Sequence, residues 1–246
     1  MRNFFVDSSS IDEDKIKITD KNDIRHITKV LRLRSREKIK ISDSTGWEYI
    51  CEISEIHSDR IITVICDRQK NATEPNLEVT LFQGIPKAGK LDDTVRKVTE
   101  LGIHEIFPVF MARTVITDNG NYGKKVMRLQ KIAVEASKQC KRGKIPQIND
   151  KIDFNTMLKK LECFDLNLFL YEDENNITLK NVLNKADKDT KTVAIIIGPE
   201  GGFSEPEANA LKEKAFSASL GKTILRTETA GVAALSMVMY ALEMSE

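Results

Sequence analysis

The chemistry-bearing residues of this chain gather in its last fifty residues. The sharpest stretch is Ile195-Ile196-Ile197-Gly198-Pro199-Glu200-Gly201-Gly202-Phe203, followed by Ser204-Glu205-Pro206-Glu207. A continuous β-branched run predicts a buried parallel strand, and the glycines after it let the backbone turn tightly and approach a ligand with no Cβ in the way. Ser204 with Glu207 three residues on, and a proline in the first turn, predict a capping box and a helix start. Strand, glycine loop and helix start in this order mark the edge where open α/β sheets bind ligands. A plain tight turn is the alternative. Neither Gly-x-Gly-x-x-Gly nor Gly-x-x-x-x-Gly-Lys-Ser/Thr occurs, which disfavours a dinucleotide or a triphosphate.

A second stretch, Leu220-Gly221-Lys222-Thr223-Ile224-Leu225-Arg226-Thr227-Glu228-Thr229-Ala230-Gly231, joins a short strand to an apolar helix over 232–242. Arg226 and Glu228 bracket a helix start rich in small residues, where free backbone N–H groups and a charged pair can face a ligand. An N-cap at Thr227 with a surface ion pair is the plainer alternative. A third feature is the amphipathic helix expected over 124–142. Its apolar face holds Val126, Leu129, Ile132, Ala133, Ala136 and Cys140, and the opposite face gathers Lys124, Arg128, Lys131, Lys138 and Arg142 with Glu135 as the acidic exception. A solvated face is the usual explanation of such charge, but the near absence of acidic residues adds weight to a phosphate-facing stripe. The histidines His26, His57 and His104 lie at no metal-ligand spacing, so no metal site is expected, and there is no Gly-x-Ser-x-Gly elbow.

The elements that must position these residues follow from periodicity. From Ile16 to Cys66 the chain shows short alternating runs with an Asp43-Ser44-Thr45-Gly46 turn, which predicts a small β-rich domain. Within it, Asp23 to Leu33 has Ile24, Ile27, Val30 and Leu31 at helical spacing and Arg25, His26, Lys29 and Arg32 on the other face, a short basic helix. The polar stretch 68–76 reads as the boundary, giving domains over 1–72 and 73–246. Beyond it strands and helices alternate: strand 77–83, helix 91–101, strand 105–110, helix 124–141, strand 167–171, helix 179–185, strand 192–197, helix 206–214, strand 218–220, helix 228–242. That order predicts an α/β domain with a mostly parallel sheet covered on both faces.

The chain is 41% hydrophobic and 30% charged, as expected of a folded globular protein, and its net charge of +1 means that any pull on nucleic acid comes from local clusters of basic residues. Cys51, Cys66, Cys140 and Cys163 form no Cys-x-x-Cys pair, and no apolar run approaches a bilayer span of about 20 residues, which points to reduced thiols in a soluble, cytoplasmic protein.

Together, Gly198 to Gly202 and Leu220 to Ala230 resemble the two signature blocks of the RsmE family, SPOUT-class enzymes that make N3-methyluridine in 16S rRNA. The likeness extends to Lys97-Val98-Thr99-Glu100-Leu101-Gly102, to Glu135-Ala136-Ser137-Lys138-Gln139-Cys140 with Arg142 and Pro146, to Phe4-Phe5-Val6 and to Arg25 through Arg32. Stretches 149–165 and 173–189 carry no motif of that family. The resemblance implies a small PUA-like β-barrel for RNA binding, then a catalytic domain whose C-terminal segment threads a trefoil knot, an arrangement that ordinary topology rules disfavour. It also implies a homodimer acting on the small ribosomal subunit.

By the same resemblance, S-adenosylmethionine lies against Gly198, Pro199, Glu200, Gly201, Gly202, Leu220, Gly221, Ile224, Leu225 and Arg226, with Tyr171 and Glu172 as additions. Methylation at uridine N3 requires loss of the N3 proton, so Arg226 is expected to stabilise the anion and Glu228 to take the proton. Arg25, His26, Lys29, Arg32, Lys124, Arg128, Lys131, Lys138 and Arg142 are expected to contact RNA. A knotted enzyme acting on a ribose 2′-hydroxyl and a noncatalytic RNA-binding assembly factor remain as alternatives.

Overall fold

A computed structural model of the chain describes residues 3–87, 89–116 and 122–244. The chain divides into two compact units, one of residues Met1–Glu74 and Ser137–Ile145, the other of Pro75–Ala136 and Pro146–Glu246. The division between them thus falls after Glu74, slightly later than the expected boundary at 72, and the first unit also takes a short later segment. The opening residues of the polar stretch 68–76 are the exposed end of a strand.

In the first unit, β1 (Asn3–Phe5), β2 (Ile11–Asp12), β3 (Lys15–Ile18), β4 (Lys38–Ser42), β5 (Trp47–Ile56) and β6 (Ile61–Lys70) form a six-stranded sheet in the order β1-β4-β5-β6-β3-β2. Only the β1–β4 pairing is parallel. Alternate residues Ile39 and Ile41, Cys51 and Ile53, Ile16 and Ile18 enter one core. The basic segment forms α1 (Lys21–Arg25) and then a π-helical turn over His26–Val30. Asp20 caps it through bonds from Asn22 N and Asp23 N. Ile24 and Ile27 are buried, but Val30 is 63% exposed, because the widened turn carries the apolar spacing on to Leu31.

The second unit contains β7 (Glu78–Gly84), α2 (Lys90–Glu100), β8 (Glu105–Phe110), β9 (Gln147–Ile148), β10 (Ile152–Asp153), α4 (Phe154–Lys160), β11 (Leu166–Leu170), α5 (Leu179–Leu183), β12 (Thr192–Ile197), α6 (Glu205–Lys212), β13 (Phe216–Ala218) and α7 (Thr227–Val238). The long helix α3 (Tyr122–Cys140) begins in this unit and ends in the first. A last π-helical turn, Met239–Glu243, continues α7. The sheet runs β10-β8-β7-β12-β11-β13 with β9 on β8, and every pairing is parallel.

Both faces of the sheet are covered, as near-continuous apolar strands require. Phe82, Phe107, Phe169 and Ile196 pack on one side with Met157 and Leu161 of the α4 region and Ala208 and Leu211 of α6. On the other, α7 packs on β7, β12 and α2. The short pieces β9, β10 and α4 lie where sequence periodicity shows nothing, since two-residue strands have no period and α4 is too short to display one.

This sheet order brings the functional segments together. β11, β12 and β13 are neighbours and parallel, so the loops after Leu170, Ile197 and Ala218 leave the sheet at one edge. The buried carboxyl-end residues of β12 place Gly198 there directly. Ser204 and Glu207 form the expected capping box at the start of α6, with Pro206 in the first turn.

Candidate cofactor and active site

A cavity of about 990 Å³ opens at that edge, lined by the glycine loop, by Tyr171 to Asn175, by Ser219 to Thr227, and by Lys90 and Ala230. Every residue expected at the cofactor lies on it: Tyr171, Gly198, Pro199, Glu200, Gly201, Gly202, Leu220, Gly221, Ile224, Leu225 and Arg226. Its volume falls within the roughly 300–1,000 Å³ of small-molecule clefts. The two segments that the sequence leaves eighteen residues apart at their nearest share one wall.

Gly202 is favoured by its backbone: its φ is +67, the left-handed region that suits glycine, while a Cβ on Gly201 would come 2.9 Å from Arg113 Cβ. The loop is also fixed from outside: Arg113 Nη1 donates to the Gly201 carbonyl at 3.0 Å, and Ala112 N donates to Glu207 Oε1 at 2.8 Å. Tyr171 stacks on Phe169 with ring centroids 5.0 Å apart. Burial, then the neighbouring Asp173 carboxylate, pushes the Tyr171 phenol up from its ordinary value. These are the surroundings that a flat, amide-rich heterocycle such as adenine needs: exposed backbone groups beside apolar side chains.

A buried polar chain holds the helix start against the loop. Thr227 Oγ1 donates to the Gly198 carbonyl at 2.5 Å and accepts from Gln83 Nε2 at 2.8 Å. Gln83 and Thr227 are both buried. Thr227 is the first helical residue of α7 and Arg226 its N-cap, so the alternative of a Thr227 cap does not hold. Arg226 is exposed on the cavity wall and its carbonyl accepts from Thr229 N and Ala230 N. Glu228, in the first turn, is half-buried; it lies off the cavity lining but is joined to it through Lys90, whose Nζ is 3.2 Å from Glu228 Oε2 and 3.2 Å from Glu200 Oε1. Burial raises the Glu200 carboxyl, yet hydrogen bonds from Lys87 N and Lys90 outweigh it and hold the group below its ordinary value.

Sequence reasoning does not single out Lys90, Gln83, Thr227 or Arg113 for these contacts. A glutamine closing an apolar strand and a lysine opening a helix are the available signals, and both are weak without their partners in space.

The residues expected at RNA divide. Arg25, Lys29 and Arg32 are exposed on the first unit, and His26 is half-buried with its ring edge-on to Phe4. Lys124 and Lys131 are exposed, with no ion pair among the described residues, whereas Arg128 is held by Asp92. Lys138 binds the buried Asp23 at 2.7 Å. Arg142 is corrected outright: it is 6% exposed and donates to Glu74 from Nη2 at 2.9 Å, so its charge is spent inside the first unit. Lys138 and Arg142 thus do not continue a free basic row from Lys131. A row read by helical spacing cannot show which members meet carboxylates distant in sequence. Among the described residues no cluster of His, Cys, Asp or Glu could hold a metal, and no helix is long and apolar enough to cross a membrane.

Comparison with known proteins fits this geometry. The RNA methyltransferase domain family matches residues 73–239, and the RNA methyltransferase PUA domain family matches residues 14–66. Ribosomal RNA small subunit methyltransferase E of Bacillus subtilis is 31% identical over 227 residues, covering 90% of this chain and 89% of that protein. The protein of the same name from Mesomycoplasma hyopneumoniae is 33% identical, over 68% of this chain and 72% of its own. The crystal structure of ribosomal RNA small subunit methyltransferase E from Neisseria gonorrhoeae, bound to S-adenosyl methionine, superposes with a TM-score of 0.84 at 26% identity, covering 98% of this chain and 97% of that one.

Proposed function

The chain belongs to the ribosomal RNA small subunit methyltransferase E family, and on that footing we propose that it methylates N3 of a uridine in 16S rRNA of the small ribosomal subunit. It is an S-adenosylmethionine-dependent RNA methyltransferase with an N-terminal PUA domain. The observation that carries the proposal is the single cavity on which the glycine loop, Tyr171 and the Leu220 to Arg226 segment converge, with Glu228 tied to its rim.

Bound S-adenosylmethionine supplies an electrophilic methyl group on a positively charged sulfur. Gly198 to Gly202 and Leu220 to Leu225 hold it through backbone groups and apolar contacts, with Tyr171 at the wall. Loss of the uridine N3 proton leaves negative charge shared with the two flanking carbonyl oxygens. Arg226, at the N-terminus of α7 where the helix end adds partial positive charge, stabilises that anion, and Glu228 accepts the proton. Arg25, Lys29 and Arg32 of the first unit, and Lys124, Arg128 and Lys131 of α3, meet RNA phosphates.

The chain passes from β13, two strands away from β12, to α7, which packs on β7 and β12; this return supports reading residues 219–226 as part of the segment that threads a trefoil knot. The domain limits follow as an RNA-binding domain ending near residue 72 and a catalytic domain beyond it. The outer side of α7 supports a homodimer, and a ribosomal RNA substrate supports reading the protein as cytoplasmic. Incubation with methyl-labelled donor and small subunits lacking the modification, followed by nucleoside mapping, is expected to give N3-methyluridine at one site. Label on a ribose 2′-hydroxyl, or no transfer despite cofactor binding, would overturn the assignment.

A further inference from the structure

Lys90 occupies an unusual place for a lysine. It is the first residue of α2, an 11-residue helix, where the unpaired N–H groups create partial positive charge and a cation is disfavoured. Asp92 and Asp93 in the same turn answer the helix end. Lys90 turns away from them, its Nζ 3.2 Å from Glu200 Oε1 on the cofactor loop and 3.2 Å from Glu228 Oε2 on α7. Its ammonium has three donors, enough for two carboxylates. The bonds to Glu200, followed by those to Glu228, push its own value up against the effect of burial.

The two carboxylates are not equivalent. Glu200 is fixed a second time, by Lys87 N at 3.0 Å. Glu228 Oε2 is buried and makes no hydrogen bond among the described residues; Lys90, 3.2 Å away, meets it there as an ion pair. Removing Lys90 therefore leaves Glu200 anchored and Glu228 loose, with a buried oxygen that lacks its counter-charge.

We propose that Lys90 is a positioning residue for methyl transfer: anchored on Glu200 of the cofactor loop, it holds Glu228 by one carboxylate oxygen at the edge of the cavity, where Glu228 takes the uridine proton. The inference rests on the reading of Glu228 as proton acceptor. It links the loop that grips the donor to the group that prepares the base, through the opening turn of a helix the family motifs do not reach until Lys97.

A double-mutant cycle tests it, with full-length protein, S-adenosylmethionine and unmodified small subunits. Lys90→Met is expected to lower kcat about 10- to 100-fold, a larger loss than any change in donor affinity read by calorimetry. Lys90→Arg, which keeps the charge, is expected to recover most of the rate. The double variant Lys90→Met/Glu228→Gln is expected to be no slower than Glu228→Gln alone, because two residues acting as one unit are not additive. Losses that multiply, an unchanged kcat in Lys90→Met, or a defect confined to donor affinity would overturn the proposal while leaving Glu228 in its role. A Glu228→Gln enzyme working at full rate would instead remove the acceptor itself, and Lys90 with it.

Discussion

Glu74 is the clearest case of a charge placed for structure. Its carboxylate accepts from Arg142 Nη2, Gly143 N at 2.7 Å and Lys144 N at 2.9 Å, all within the first unit. Burial alone would raise its value, but the Arg142 guanidinium and the two backbone donors more than offset that and hold it below the ordinary 4.5. Because the folded value is the lower one, the carboxylate contributes stability above about pH 4.5, and that contribution is lost as the pH falls through the lowered value. Glu74→Gln removes the buried carboxylate that Arg142, Gly143 N and Lys144 N all bond, and is expected to cost about 3 kcal/mol at neutral pH. In denaturant melts across pH, the difference between the two proteins is expected to shrink in acid; a gap that stays constant down to about pH 3 would contradict this account. Arg142 is legible in the sequence as a basic position beside Lys138, but its partner lies 68 residues away, beyond any local pattern.

At the scale of elements, the same distinction separates two kinds of basic helix. The α1 segment buries Ile24 and Ile27 and leaves Arg25 and Lys29 in solvent, so its charge is available to phosphates. Lys138 near the end of α3 and Arg142 just beyond it have spent their charge on Asp23 and Glu74. Arg25→Ala with Lys29→Ala is therefore expected to weaken RNA binding and to reduce the slope of log affinity against log salt by about two, without altering the melting curve. Arg142→Ala is expected to do the reverse. Filter binding over a salt series distinguishes them, and an unchanged slope in the double variant would leave the α1 segment as plain solvated surface. The amphipathic pattern locates both helices; which charges remain free depends on what the rest of the chain brings against them.

For the molecule as a whole, α7 joins the site to the surface. Its inner side carries Ala234, Leu235 and Val238 into the core, while Met237 and Tyr240 are 42% and 73% exposed, with Ile224 just before the helix at 82%. Large apolar side chains left in solvent are what the proposed homodimer would cover. Met237→Glu with Tyr240→Glu is expected to convert a dimer to monomer in light scattering and to lower methyl transfer more than about tenfold, while the fold, read by circular dichroism, is kept. A wild-type protein that is monomeric at micromolar concentration would dismiss the dimer.

The linear chain determined a great deal by itself. Strand 105–110 and strand 192–197 coincide with β8 and β12, and the glycine loop, the capping box at Ser204 and the parallel α/β order all rest on local steric rules that need no partner. What only the tertiary structure decided is who meets whom. Parallel pairing of β11, β12 and β13 gathers three distant loops on one cavity, and the Gln83–Thr227–Gly198 chain and the Lys90 bridge exist only after that gathering. Backbone preferences act over a few residues, whereas hydrogen bonds and ion pairs act across space, so a partner far along the chain leaves no trace in local spacing.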